Sequence, residues 1–253
     1  MSAGGERWSF WIDRGGTFTD GIGVAPDGSL HIAKLLSSDE APAQLIRQIL
    51  DSAGASDAAR VRVELGTTVA TNALLERRGV PTLFVTNTGF GDLLAIGTQE
   101  RPELFELAIR KPAPVPSAVL EVSGRVGADG TLVEPLDLAA ARTALGAQRE
   151  RGHRSVAIAL IHATAFPEME RALAALAREV GFEHVAVSHE VANEAGLLAR
   201  AETTAVDAYL TPLLRGHAAA LRAALPEDCM KRSSASGNAA RSAAACPRRS
   251  GVR

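Results

Sequence analysis

Residues 8–36 read WSFWIDRGGTFTDGIGVAPDGSLHIAKLL, and this stretch decides the fold. Trp8, Phe10 and Ile12 alternate with Ser9, Trp11 and Asp13, the period of a half-buried strand, and the Gly15-Gly16 pair follows. Residues 18–25 form a second extended run that ends in Pro26-Asp27-Gly28, a turn sequence. Residues 29–36 place Leu30, Ile32 and Lys34 in alternation and complete a predicted β-meander. Next, APAQLIRQILDSAGA (41–55) sets Leu45, Ile46, Ile49 and Leu50 at helical spacing, with Gly54 to close the helix.

Working outward, strands and helices alternate. The pattern predicts strands over 61–65, 81–86, 155–161 and 184–188. It predicts helices over 68–78 (stopped by Gly79), 90–96, 138–151, 167–180 and 203–225, the last interrupted or restarted near Pro212. Residues 97–118 carry four prolines and read as a loop, and residues 119–126 with 131–134 read as a hairpin around Ala128-Asp129-Gly130. A three-stranded meander followed by repeated α–β units specifies an α/β core with a mixed sheet.

Composition bounds the function. The chain of 253 residues is 46% hydrophobic and 22% charged, which excludes a disordered polyampholyte. Its longest purely apolar run, residues 156–161, is far below the roughly 20 residues that span a bilayer, so no membrane partner is expected. No basic start followed by an apolar stretch marks a leader, and two cysteines make no disulfide framework, so a cytoplasmic chain is expected. The formal net charge of −2 argues against nucleic acid as partner. That total conceals a break: of the 27 basic residues six lie in 229–253, leaving 21 bases against all 29 acids before it, a net of −8.

The segment that carries chemistry is Ile12-Asp13-Arg14-Gly15-Gly16-Thr17-Phe18-Thr19-Asp20. Glycines at a hairpin tip leave backbone N–H groups unshielded, so an anion can approach closely. Thr17 and Thr19 add hydroxyl donors, and Asp13, leaving a strand at the loop base, is placed to hold hydrated Mg²⁺ against a phosphate. The alternative is a plain turn whose carboxylates cap neighbouring N–H groups; the acids at both ends favour the phosphate cradle. A second candidate is GTTVATNALLERRG (66–79), in which Gly66, Thr67, Thr68 and Asn72 open a helix where an anion or carbonyl oxygen would fit. An ordinary threonine cap explains it equally well. His162 follows a buried strand but reads more simply as a core histidine, and His189, Glu190, Asn193 and Glu194 read as a solvated helix start, not a metal cluster. Gly97 to Glu100 and Arg101 could reach a substrate from the long loop, with Arg101 pairing a carboxylate.

Together IDRGGTFTD (12–20), KLLSSD (34–39), GTTVATNALLERRG (66–79), GFGDLLAIGTQERPELFEL (89–107) and RAETTAVDAYLTPLL (200–214) resemble, in order, the N-terminal region of the hydantoinase A and 5-oxoprolinase family. The likeness spans 8–225, and Arg14 and the IGTQ segment look more like 5-oxoprolinase. The resemblance implies an actin-like (sugar-kinase-like, Hsp70-like) ATPase lobe that binds ATP and Mg²⁺, with potassium as a further option. Carried over by position, Asp13 and Asp20 would be catalytic, Asp13 also the metal ligand, and Arg14, Gly15, Gly16, Thr17, Thr19, Gly66, Thr67, Thr68 and Asn72 the nucleotide contacts. The implied reaction opens a cyclic amide: 5-oxo-L-proline with ATP and water gives L-glutamate, ADP and phosphate. Implied partners are a hydantoinase B-like half or a C-terminal lobe, and a homo-oligomer is open. Alternatives are the ATPase subunit of a hydantoinase or ATP-dependent carboxylase, or a non-catalytic binding lobe.

Family members continue into a second lobe, whereas residues 229–253 are a basic stretch rich in Ala, Arg and Ser. The expectation is a disordered tail read out of frame, on a chain weakly active or inactive alone; a genuine basic extension is the other reading. Reading the gene in its other frames downstream of codon 228 checks this: a second-lobe coding frame is expected there, and none would be found if the tail is native.

Overall fold

The meander forms as the alternation predicts. Strands β1 (Arg7–Arg14), β2 (Phe18–Val24) and β3 (Leu30–Leu36) pair antiparallel, and β4 (Arg60–Thr67) joins β1 in parallel, giving a mixed sheet ordered β3-β2-β1-β4. The computed structural model describes residues 7–55, 60–100, 105, 107 and 111–224; the 229–253 segment and Arg101 lie outside the described residues. Helix α1 (Ala41–Ser52) covers one face, burying Leu45, Ile46 and Ile49 with Trp8, Phe10 and Ile12. Two glycines let it settle so close. A Cβ on Gly21 would lie 2.3 Å from Leu45 Cδ2, and one on Gly23 would lie 2.9 Å from Ile49 Cγ2. Among the described residues the other face is bare: Trp11, Ile22 and Ile32 sit directly opposite one another across three strands, and Ile32 is 78% exposed.

After α2 (Val69–Leu75), the chain enters a second sheet. Strand β5 (Thr82–Asn87) leads through α3 (Leu93–Ile96) and the proline-rich loop to β6 (Ala118–Val122). A small hairpin of β7 (Arg125–Val126) and β8 (Leu132–Glu134) precedes α4 (Leu138–Glu150), β9 (Ser155–Ile158), α5 (Glu168–Val180), β10 (His184–Val187), α6 (Ser188–Val191) and α7 (Leu197–Ala224). The sheet is all parallel, ordered β10-β9-β5-β6. Leu83 and Val85 of β5 pack toward α4 and α5, while Phe84 packs on the alanines of α7. Both faces are covered, which is why β5 and β9 read as continuous apolar runs without alternation.

Several boundaries differ from the sequence expectations, each for a local reason. The expected strand 119–126 splits at Gly124, whose φ of 102° turns the chain, so residues 118–122 join β5 and only 125–126 enter the hairpin. Helix α2 stops at Leu75, not Arg78: Arg77 turns left-handed (φ 54°) and the Arg78 amide bonds the Ala73 carbonyl at 2.8 Å, a helix-ending bond. Gly79 serves packing instead, since a Cβ there would lie 2.3 Å from the Tyr209 ring on α7. Strand β9 ends at Ile158: Ala159 N makes a last bond to the Val85 carbonyl at 3.0 Å, and side chains then take over, Glu170 Oε1 accepting from Leu160 N and Asn87 Oδ1 from Ile161 N, both at 2.8 Å. Among the described residues no helix is long and apolar enough to cross a membrane.

The long helix begins six residues before the expected start and continues past Pro212 without a break in the helix along 197–224. Proline has no N–H, so the carbonyl of Ala208 loses its helical partner. Ser155 Oγ, at the start of β9, fills that vacancy at 2.6 Å in a buried position. One residue on, the Tyr209 carbonyl accepts from Val80 N at 3.1 Å. Ser155→Ala should therefore destabilise the chain by about 1–3 kcal/mol, the cost of an unmet buried carbonyl. Adding Pro212→Ala restores a helical N–H and should recover part of that loss, measured as denaturant midpoints of the two single variants and the double.

Candidate functional site

The parallel register of β1 with β4 sets Asp13 opposite Gly66 and Arg14 opposite Thr67, so the two motifs lie side by side although 53 residues apart in sequence. Asp13 is exposed at the strand end, and a Cβ on Gly66 would come within 3.6 Å of its Oδ1. The turn after β1 is closed by Gly15 N on the Phe18 carbonyl at 3.0 Å. Ser37, just past β3, braces it: Ser37 N donates to the Thr17 carbonyl (2.9 Å) and Ser37 Oγ to the Gly15 carbonyl (2.8 Å). Thr19 is fully buried with its Oγ1 3.1 Å from Ser37 Oγ, so its hydroxyl supports the loop from beneath instead of opening onto it.

The second motif closes on the first through the backbone. Thr68 N donates to the Arg14 carbonyl at 3.2 Å, with Thr68 Oγ1 on the same oxygen at 3.5 Å. Thr67 Oγ1, one residue earlier, accepts from the Val69 amide at 3.2 Å where α2 opens. Asn72 then faces the loop: a Cβ added to Gly16 would meet Asn72 Nδ2 at 3.3 Å. Gly16 and Thr17 remain exposed beneath that amide.

Arg14 runs away from the loop. Its Nη2 donates to Asp39 Oδ1 at 2.8 Å, and His217 Nδ1 on α7 lies 3.3 Å from both Arg14 Nη1 and Asp39 Oδ1. Arg14 Nε is buried with no hydrogen-bond partner among the described residues. The guanidinium beside Asp39 holds that carboxyl below its usual range. Asp20 turns to the bare sheet face and pairs with Lys34 at 3.0 Å, both about half exposed. The site thus gathers the exposed Asp13 carboxylate, the exposed Gly16 backbone and the Asn72 side-chain amide, with the Arg14 guanidinium held at the loop base by Asp39. The backbone and amide donors fit an anion, and the exposed Asp13 carboxylate would suit a hydrated divalent ion.

Other sequence candidates fall elsewhere. His162 takes a left-handed backbone (φ 58°) and is half-buried past the end of β9. His189 is no solvated helix start: its Nδ1 lies 2.6 Å from Glu170 Oε2, and both side chains are buried. Ser188 Oγ donates to Glu170 Oε1 at 2.6 Å and accepts from Arg200 Nε at 3.2 Å. Arg200, fully buried, also reaches the carbonyls of Leu160, Glu194 and Ala195. Burial pulls its guanidinium below the usual range, with the Glu170 charge opposing the shift. Sequence reading missed this network, though Glu170 stands one, two turns ahead of Leu173, Ala174 and Ala177 on the apolar stripe of α5, which is the signal of a buried acid. Among the described residues no group of three or more His, Cys, Asp or Glu is arranged to hold a metal.

Comparison with known proteins follows the same lines. The profile of the hydantoinase/oxoprolinase N-terminal region matches residues 9–181. The chain is 36% identical over 244 residues to 5-oxoprolinase of Dictyostelium discoideum, covering 81% of this chain but 19% of that protein. It is 33% identical over 223 residues to the caprolactamase subunit alpha of Pseudomonas jessenii, covering 83% of this chain and 32% of the relative. The crystal structure of the ATP-dependent caprolactamase from that organism superposes with a TM-score of 0.76 at 28% identity, over 88% of this chain and 34% of the other. The chain therefore spans about a fifth of the length of the 5-oxoprolinase it matches.

The Asp39 carboxyl has a depressed folded pKa, so its contribution to stability is present above the unfolded carboxylate value near pH 4 and is lost as pH falls through the folded one. Asp39→Asn should be less stable than the parent at pH 7. The difference should vanish as both are titrated below the carboxylate range, read from thermal midpoints against pH.

Proposed function

The chain belongs to the hydantoinase/oxoprolinase N-terminal family, and from that premise we propose that it is the nucleotide-binding lobe, actin-like in fold, of an ATP-dependent cyclic-amide hydrolase. One observation carries the reading: the β1–β4 register draws the Asp13–Asp20 hairpin and the Gly66–Asn72 segment into one site. In it Asp13 would hold hydrated Mg²⁺, and the backbone N–H groups of Gly16 and Thr17 would receive phosphate oxygens that a side chain at Gly16 would exclude, while Gly15 N closes the turn on the Phe18 carbonyl. Asn72 donates from above, and Gly66 leaves room beside the Asp13 carboxylate. Thr67 and Thr68 fix the opening of α2, Thr19 braces the loop, and Arg14 supplies positive charge at its base. Asp20, tied to Lys34, keeps a second carboxylate at the hairpin for the attacking or departing proton. ATP, when bound, supplies the phosphoryl group that makes a stable lactam carbonyl electrophilic; the chain's own part is positioning and charge neutralisation.

A lactam such as 5-oxo-L-proline is the substrate class we assign, with polypeptide beyond this fifth of the relatives' length completing the cleft. An ATP-consuming reaction suits the cytoplasm. A second reading rests on the likeness to the caprolactamase subunit: the chain would be the ATPase part of a lactamase that works with a separate partner chain.

Calorimetry with Mg-ATP tests the proposal. The parent should bind, Asp13→Asn should lose about tenfold or more in affinity with one charge-assisted contact removed, and Gly16→Val should abolish binding. A folded chain that ignores Mg-ATP would instead be a non-catalytic lobe. A coupled assay for ADP and glutamate, run with the C-terminal portion of a 5-oxoprolinase supplied separately, separates the two readings. Turnover of ε-caprolactam without turnover of 5-oxo-L-proline selects the second.

A further inference from the structure

Between α2, α3 and α7 lies a cavity of about 600 Å³ that the phosphate-loop reading leaves unused. Its apolar lining comes from Leu74 on α2, Leu94 on α3, and Ala205 and Val206 on α7. Glu202 shares that lining because residues three and four apart occupy one helix face. One wall is the segment 111–116, in which three prolines fix the backbone without any ladder of hydrogen bonds. The other is the turn 97–100, singled out in sequence by its Gly-Thr-Gln-Glu run, where Gly97 and Gln99 take φ of 56° and 62°. A left-handed glutamine is an uncommon backbone, of the kind that gathers in ligand-contacting loops.

Charge is sparse and specific there. Lys111 Nζ donates one proton to the Ile96 carbonyl at 2.6 Å, its one acceptor among the described residues, and an ammonium carries three. Glu100 and Glu202 line the same space. A mostly apolar cavity of this volume, with one ammonium and carboxylate acceptors, suits a ring-sized molecule that carries both an acceptor and a donor. The amide of a small ring holds its carbonyl and N–H on one edge. The carbonyl would accept from Lys111 and the N–H donate to Glu202, while the methylenes meet Leu94 and Val206. Helix α2 links this cavity to the loop, for Asn72 faces Gly16 and Leu74, two residues on, faces the cavity.

From this geometry we infer that the cavity is a binding site for a small cyclic amide held by Lys111 and Glu202, an inference that rests on the cyclic-amide reading above. The full chain is titrated separately with ε-caprolactam, 5-oxo-L-proline and Mg-ATP by calorimetry. At least one lactam should bind, and Lys111→Met and Glu202→Ala should each weaken it about tenfold, one charge-assisted hydrogen bond apiece. Val206→Trp, which fills the cavity, should abolish lactam binding. All three should leave Mg-ATP affinity unchanged. Tighter binding of ε-caprolactam assigns a neutral lactam and of 5-oxo-L-proline a lactam carboxylate, and either result supports the site. Lactam binding indifferent to these substitutions, or no lactam binding by a chain that binds Mg-ATP, overturns it. Lactam binding that responds to the substitutions in a chain blind to Mg-ATP would leave the cavity standing and remove the nucleotide reading. Lys111 and Glu202 are exposed, so their variants decide the matter even should Val206→Trp fail to fold.

Discussion

The pairing of β1 with β4 is the constraint on which the site depends. In a parallel ladder the register fixes which residues are neighbours, and a slip of one residue would turn every side chain to the opposite face. Here that register is held from below by Trp8, Phe10 and Ile12, packed under α1 with Val61 and Val63. The hydrophobic side of the sheet therefore decides where Asp13 and Gly66 meet on the other side. The loop above is held almost wholly by main-chain bonds and by Ser37, so little of its shape depends on the side chains that would touch a ligand.

Much of this was legible in the sequence because it is local. Alternation gave β1 to β3, and the apolar stripe gave α1, since each reports directly on one buried face. The Asp13–Asp20 hairpin was readable for the same reason, as a turn whose residue types have few other uses. The juxtaposition of the hairpin with Gly66–Asn72 was not readable from spacing: it comes from strand pairing across 53 residues, and resemblance to a family is what tied the two together beforehand. Thr19 shows the limit at a single residue. Its type suits a phosphate, but the period of β2 turns it inward, and alternation with the exposed Phe18 and Asp20 was there to be read. The early end of α2 escaped because it depends on a positive φ at Arg77, which an arginine does not announce, whereas Gly124 is a residue type that permits the turn it makes.

The second sheet is organised differently, around buried charge. Glu170 and Arg200 are fully enclosed and meet through the Ser188 hydroxyl, with His189 on the other carboxylate oxygen. Such groups are costly to bury unless every lone pair and proton is used. Here they replace missing strand partners, capping the ends of β9 and β10 where backbone pairing gives out. The same device that ends the strands therefore positions the turn before α7, with no backbone ladder involved.

Helix α7 gains a further meaning from Pro212. The vacancy at the Ala208 carbonyl can be met by Ser155 in only one seating, so the helix cannot slide by a turn along the second sheet without stranding that oxygen. Nine residues later, His217 touches the Arg14–Asp39 pair on the first sheet. At a rise of about 1.5 Å per residue the two anchor points stand roughly 13 Å apart along the axis. The helix is thus a spacer whose length, more than its composition, sets how far the loop base stands from the second sheet. The exposed residues Arg215 and Gly216 in this stretch should tolerate exchange far better than insertion or deletion, because one added residue rotates His217 by about 100° away from Arg14.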